Sequence, residues 1–204
     1  MDKVVERRSK SVTDIFRSVF KQAFEPIAAF LTRLGIYPNT ITILGLAGHF
    51  IAAYLVVTGR LTIAGILLIV IAPFDFLDGM MARMRGESTR FGAFVDSVTD
   101  RYSELVIFGG LLLYFIQIEN WLACALTYLA ASGSILVSYI RARAESLHFD
   151  TSIGILTRLE RYLVLIPALI FNIPVVAMWI IAILANLTAL QRIHVVRQQR
   201  DKKE

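Results

Sequence analysis

The sequence predicts an all-α integral membrane protein: six transmembrane helices preceded by an amphipathic interfacial helix. Three observations carry this reading. The 204 residues are 56% hydrophobic with a mean hydropathy of +0.64, and the excess lies in long uncharged runs rather than in one soluble core. At roughly 20 residues per crossing, the chain has room for six spans and little beyond them. Lysines and arginines gather between alternate runs, as they do where loops are held on the cytoplasmic side. The net charge of +5 then points to anionic lipid headgroups rather than to nucleic acid. Cys124, the single cysteine, lies in an apolar run, which excludes a disulfide framework and a thiolate metal site.

Each element follows from local pattern. Residues 1–10 are polar and carry no cleavable signal pattern. Between residues 12 and 34 apolar side chains recur at helical spacing (Ile15, Val19, Phe20, Ala23, Ile27, Phe30, Leu31 and Leu34), interrupted by Arg17, Lys21 and Arg33. That is the pattern of a helix lying in the membrane interface with its basic groups toward phosphates. Gly35 and Pro38 end it, and Asn39 with Thr40 is expected to cap the first span, residues 40–58. Gly59 and Arg60 turn the chain into a second span at about 61–82. A basic loop, 83–90, leads to a third span at 91–117, and Glu119–Asn120 turns into a fourth that ends near residue 141. A polar connection, 142–157, precedes the fifth span at about 159–171. The turn Asn172-Ile173-Pro174 opens the sixth, 175–193, before a basic tail. The chain thus divides into an N-terminal segment, 1–38, a six-helix transmembrane domain, 39–195, and a tail, 196–204.

Orientation follows from the basic residues. Residues 1–39 hold seven lysines and arginines, 83–90 three, 141–161 four and 192–204 five, against Arg60 alone on the opposite side and Arg101 inside a helix. The bias places both termini and the 83–90 loop in the cytoplasm of a multi-pass plasma-membrane protein.

The chemistry is concentrated in residues 75–100, DFLDGMMARMRGESTRFGAFVDSVTD. Asp75 and Asp78 stand three apart and Asp96 and Asp100 four apart, so each pair projects from one helix face. The pairs occupy the end of the second span and the start of the third, antiparallel neighbours across a short loop, where they can converge. Carboxylates at membrane depth are costly and are retained for a task. Four of them need protons or cations, and oxygen-only donors favour Mg²⁺, Mn²⁺ or Ca²⁺ over zinc or copper. Two divalent ions match four charges, and two-metal sites suit displacement at phosphorus. Gly79, Ala82 and Gly92 let a ligand approach the backbone closely, and Arg83, Arg85 and Arg90 border the site. The spacing is not that of a calcium-binding EF-hand loop. The competing structural reading is an ion-pair network between these aspartates and nearby arginines. His49, in the first span, reads as a packed or interhelical hydrogen-bonding residue, and Gly109-Gly110 as a place of close helix approach.

The string Asp75-x2-Asp78-Gly79-x2-Ala82-Arg83-x8-Gly92-x3-Asp96-x3-Asp100 resembles the signature of the CDP-alcohol phosphatidyltransferase family, with every fixed position filled. The approach segment Pro38-Asn39-Thr40-Ile41-Thr42 and the six-span layout are similar to the family as well. The resemblance implies a metal-dependent enzyme that moves a phosphatidyl group from a CDP-linked lipid to an alcohol and releases CMP. It implies Asp75, Asp78, Asp96 and Asp100 as ligands of two Mg²⁺ or Mn²⁺ ions, with Asp100 also the general base. Asp78, Gly79, Ala82, Arg83 and Gly92, with Asn39 and Thr42, would bind the nucleotide.

The stretch from Ser138 through Arg141, Arg143 and Glu145, followed by Gly154 and Arg158-x-Glu160-Arg161, resembles the inositol-phosphate-using branch of that family. Arg141, Arg161, Arg158 and Arg192 would then hold the acceptor's phosphate, to which arginine's planar fork is suited. The implied partners are CDP-diacylglycerol or a CDP-linked ether lipid, inositol 1-phosphate, the bilayer and a second copy of the chain. Glycerol 3-phosphate is the rival acceptor. A cation or proton transporter is the rival class, and it predicts acidic groups continuing through the membrane. The far halves of the spans contain none except Glu119 at a turn.

Overall fold

Backbone at membrane depth has no water to bond with, and a helix satisfies its polar groups within one segment. The computed structural model describes residues 12–86, 89–151 and 153–200, and every element in it is helical. These are α1 (Val12–Arg33), α2 (Pro38–Val57), α3 (Leu61–Ile71), α4 (Phe74–Arg85), α5 (Arg90–Gln117), α6 (Trp121–Ser146), α7 (Arg158–Ile170) and α8 (Pro174–Arg200). The polar stretch 1–11 and the terminal 201–204 fall outside the described residues.

Among the described residues, four helical stretches are long and apolar enough to cross a membrane: Pro38–Val57, Leu61–Arg85, Trp121–Ser146 and Pro174–Gln199. The other two expected spans differ for physical reasons. Helix α5 carries Asp96, Asp100, Arg101 and Glu104 between its start and its middle, and α7 has only 13 residues.

Several boundaries depart from the sequence pattern. Tyr37 is the residue before α2 and makes no side-chain cap, while Pro38 fills the first helical position. Proline's fixed φ suits that position, so Asn39 and Thr40 lie in the first turn instead of capping it. The second span is interrupted at Ala72 and Pro73, because proline has no N–H to continue the ladder. The break places Asp75 in the first turn of α4, where the helix dipole favours a carboxylate. Helix α6 continues to Ser146, beyond the expected end near 141. Helix α8 continues to Arg200, so the expected tail is helical up to that residue. Gln199 there accepts a hydrogen bond from the Asp150 amide at 3.0 Å and donates to its carbonyl at 2.6 Å.

The turns after α2, α5 and α7 use left-handed backbone at Gly59 (φ 76), Glu119 (φ 55) and Asn172 (φ 57). Helix α2 is the central partner, packing against α3, α4 and α5, while α8 packs on α6 and α7. The main core draws Val56, Leu68, Ile107, Leu111, Phe115, Leu169, Met178 and Ile181 together from five helices. A smaller cluster of Ala28, Ile41, Leu77, Met80 and Met81 fastens α1 to α2 and α4.

Small residues let the helices close. A β-carbon added at Gly110 would stand 2.9 Å from the Ala53 carbonyl oxygen of α2, whereas one at Gly109 meets nothing within 4 Å. Gly110→Ala is therefore expected to destabilise the fold by about 1–3 kcal/mol through overpacking. Gly109→Ala should leave it unchanged or slightly more stable, since alanine is the better helix former. Thermal melting of the two purified variants in detergent checks this.

Candidate active site

The polar residues gather where α2, α4 and α5 meet. Asp75 and Asp78 come from α4, Asp96 and Asp100 from α5, and α2 lies against both helices. Asp78 is the most enclosed, only 4% exposed. Its Oδ2 accepts from the Thr42 hydroxyl at 2.5 Å and its Oδ1 from the Gly79 amide at 2.5 Å. The two contacts fix that carboxylate against α2 and against its own helix.

Beside it opens a cleft of about 400 Å³, within the size range of small-ligand sites. Asn39, Thr42, Asp78, Gly79, Ala82, Arg83 and Gly92, seven residues from three helices, all line this one cleft. Tyr37, Pro38, Thr89, Ala93 and Asp96 complete the lining. Thr89 caps α5 by accepting from the Gly92 amide at 3.0 Å, which sets the helix start at the rim of the cleft.

Asp75 and Asp100 are joined by a residue from a different helix. Nη1 of Arg158, in the first turn of α7, lies 2.7 Å from Asp75 Oδ2 and also contacts Asp100 Oδ1. Arg101 Nη1 stands 3.7 Å from Asp100 Oδ2 on the other side. The arginine–aspartate network weighed from the sequence is thus present in part, supplied by Arg158 rather than by the loop arginines. Arg85 turns instead to the Thr32 carbonyl at 3.2 Å and to the face of Tyr37.

The donor set suits a hard divalent ion. It is made of carboxylates alone, and two of them already share one cation, the Arg158 guanidinium. Among the described residues, however, no three such ligands stand close enough to form a ready-made cage. Carboxylates of the two pairs do approach one another, since one guanidinium nitrogen of Arg158 reaches both Asp75 and Asp100. Helices α4 and α5 each pack on α2, and the cleft lies between the pairs.

The four arginines expected at the acceptor's phosphate separate into two groups. Arg158 sits on the aspartates. Arg161 is buried and makes a two-point pair with Glu104, Nε to Oε1 at 2.7 Å and Nη2 to Oε2 at 2.9 Å, while its Nη1 donates to the Leu156 carbonyl at 3.1 Å. Arg192 on α8 donates to the Ile153 carbonyl at 3.0 Å and to the Val137 carbonyl at 2.6 Å. Arg161 and Arg192 thus meet the same connection, at Leu156 and Ile153, and Arg192 also reaches Val137, one turn before Arg141 on α6, so these three gather in one region. Arg141 also pairs with Glu145 at 2.7 Å on its own helix. Gly154 belongs to the same construction. A β-carbon there would stand 2.9 Å from Thr188 and 3.2 Å from the Arg192 guanidinium.

Sequence reasoning missed Glu104 and Tyr162. Glu104 had a legible signal: it extends the four-residue spacing of Asp96 and Asp100 along one face of α5. Tyr162 had none. Its hydroxyl lies 2.9 Å from His49 Nε2, whose Nδ1 lies 2.7 Å from the Gly45 carbonyl, and its ring sits 5.5 Å from the Arg158 guanidinium carbon. His49 is therefore an interhelical hydrogen-bonding residue, as its place in an apolar span implied.

Comparison with known proteins agrees with this geometry. The family model for CDP-alcohol phosphatidyltransferases matches residues 35–190. A phosphatidylinositol phosphate synthase of Mycobacteroides abscessus is 36% identical over 192 residues, covering 89% of this chain and 86% of its own. An archaetidylinositol phosphate synthase of Pyrococcus horikoshii is 37% identical over 184 residues, covering 90% and 95%. The crystal structure of Mycobacterium tuberculosis phosphatidylinositol phosphate synthase with CDP-DAG bound superposes with a TM-score of 0.79 at 33% identity, covering 84% of this chain and 92% of that one. The same enzyme in complex with manganese and citrate gives a TM-score of 0.78. Aspartate string, cleft, fold and relatives agree, and the chain belongs to the CDP-alcohol phosphatidyltransferase family, membrane transferases of phospholipid biosynthesis.

Proposed function

We propose that the chain transfers the phosphatidyl group of CDP-diacylglycerol, or of a CDP-linked ether lipid, to inositol 1-phosphate, giving phosphatidylinositol phosphate and CMP. The observation that carries the choice of a phosphate-bearing acceptor is the gathering of Arg141, Arg161 and Arg192, three basic side chains from three helices. A phosphate dianion suits such a site, since Arg192 meets only carbonyl oxygens and carries a charge that no carboxylate pairs in the contacts described. The relatives named for inositol phosphate products support the same choice.

In this reading the cytidine nucleotide occupies the cleft, close to the backbone at Gly79 and Gly92, with Arg83 toward its phosphates. Asp75, Asp78, Asp96 and Asp100 would hold Mg²⁺ or Mn²⁺, two ions per site, whose charge neutralises the pyrophosphate and the departing CMP. Thr42 and the Gly79 amide hold Asp78 in place. Arg141, Arg161 and Arg192 grip the acceptor's phosphate and so orient its hydroxyl. Asp100 accepts the proton of that hydroxyl as its oxygen attacks the phosphatidyl phosphorus and the bond to CMP breaks.

We also assign six spans, with α5 and α7 crossing beside the four apolar stretches, both termini cytoplasmic in the plasma membrane, and a homodimer as the working unit. Helix α1 would lie in the interface. It buries Ala28 against the bundle and leaves Ile27 and Phe30 exposed, with Leu34 exposed just past its end, as an interfacial helix needs.

The deciding experiment measures CMP release by the purified protein from CDP-diacylglycerol with Mg²⁺, offering inositol 1-phosphate, glycerol 3-phosphate, serine or inositol separately. Turnover is expected with inositol 1-phosphate alone, and Asp100→Asn should slow it by about 10²–10⁴-fold, the usual range for a lost general base. Turnover with glycerol 3-phosphate instead would overturn the acceptor while keeping the mechanism. Glu104→Gln, which removes the charge facing Arg161, should raise KM for inositol 1-phosphate by about tenfold through loss of a charge-assisted, two-point contact. KM for CDP-diacylglycerol should not move in that variant.

A further inference from the structure

Arg158 stands apart from the other arginines of the acceptor region. Arg161 and Arg192 are locked by backbone carbonyls. Arg158 instead faces two carboxylates and an aromatic ring, and its Nε is buried without a hydrogen-bond partner. A single nitrogen, Nη1, reaches both Asp75 and Asp100, so one positive charge sits where the family's reading puts divalent metal. The ring beneath it is itself fixed, since the Tyr162 hydroxyl is bonded to His49. Arg158 lies three residues before Arg161 on α7, on the same helix face. The two side chains therefore leave α7 from one face, Arg158 toward Asp75 and Asp100 and Arg161 toward Glu104.

We propose that Arg158 is an internal counter-ion of the aspartate site, a positioning residue that yields Asp75 and Asp100 to divalent metal and then joins the neighbouring arginines that hold the acceptor's phosphate. The proposal rests on the function assigned above and adds a coupling to it. A monocation tethered to α7 gives way to a freely diffusing dication because the dication carries twice the charge to the same carboxylates. Before loading, the clamp keeps like charges on α4 and α5 from repelling one another. After loading, the freed guanidinium is offered to an anion. Metal and acceptor then favour one state of Arg158, and each must tighten the binding of the other by the same factor.

The test is Mn²⁺ binding to the full chain in detergent, read by the electron paramagnetic resonance signal of the free ion, with and without inositol 1-phosphate. Removing the clamp in Arg158→Gln should tighten Mn²⁺ by about tenfold, as expected when a closed state holding nine molecules in ten is abolished. Inositol 1-phosphate should tighten Mn²⁺ in the wild type and fail to do so in Arg158→Gln. This second readout separates displacement from simple charge repulsion, which the acceptor would not influence through residue 158. Arg158→Met, which keeps length and packing on the Tyr162 ring, repeats the test if the glutamine variant does not fold. On the wild type, Mn²⁺ alone should speed amide exchange in the first turn of α7. Unchanged Mn²⁺ affinity in the neutral variants, coupling that survives in them, or unaltered exchange each overturns the counter-ion role and leaves the proposed reaction standing. Absence of Mn²⁺ binding by the wild type overturns both.

Discussion

Like charges held together on facing helices must be compensated, and the arrangement of this protein depends on that compensation. Two carboxylates 4 Å apart repel by about 4 kcal/mol at an effective dielectric constant of about 20, and four of them sit around one junction. Thr42 and the Gly79 amide stabilise Asp78 by hydrogen bonds. Arg158 stabilises Asp75 and Asp100 by charge, and in doing so ties α7 to α4 and α5. The aspartate site is therefore also a helix-packing contact, and its chemistry and its architecture are not separable.

A second layer of compensation surrounds the first. Glu104, one turn beyond Asp100, neutralises the buried Arg161. A buried pair of this kind is weak evidence for stability, because desolvation offsets much of the attraction. Its two-point geometry instead fixes where a guanidinium points. Arg192 is held by two carbonyls and Thr188 accepts from the Leu156 amide at 3.1 Å, which lashes the connection before α7 onto α8. Arg161 and Arg192 are thus held by fixed elements, whereas Arg158 is held by the aspartates.

Close helix approach makes both layers possible. Gly65 of α3 stands against the backbone of α7, Gly110 of α5 against Ala53 of α2, and Gly133 of α6 against Asn186 of α8. Larger residues at these points would push apart the helices that bring Asp75, Asp100 and Arg158 within contact distance. In a bilayer, where burying apolar surface gives little advantage over lipid, such packing carries much of the association.

The elements of this fold were legible in the sequence because apolar run length, helical spacing and turn residues act locally. The spacing within Asp75–Asp78 and Asp96–Asp100 put each pair on one face, and the motif with the approach segment before α2 collected seven residues that line one cleft. Proline at 73, a local signal, divided an apparently continuous span. Elsewhere local pattern failed where a distant residue decided, as where Gln199 on α8 bonds Asp150. Arg158, read as an acceptor residue from its neighbours in sequence, went to carboxylates 83 and 58 positions away. The sequence by itself determined the helices, the family and the carboxylate site, since each depends on residues within a few turns of one another. Only the tertiary structure decided which cation meets which anion, because charge pairing across helices depends on how α7 docks against α4 and α5, and no local spacing encodes that.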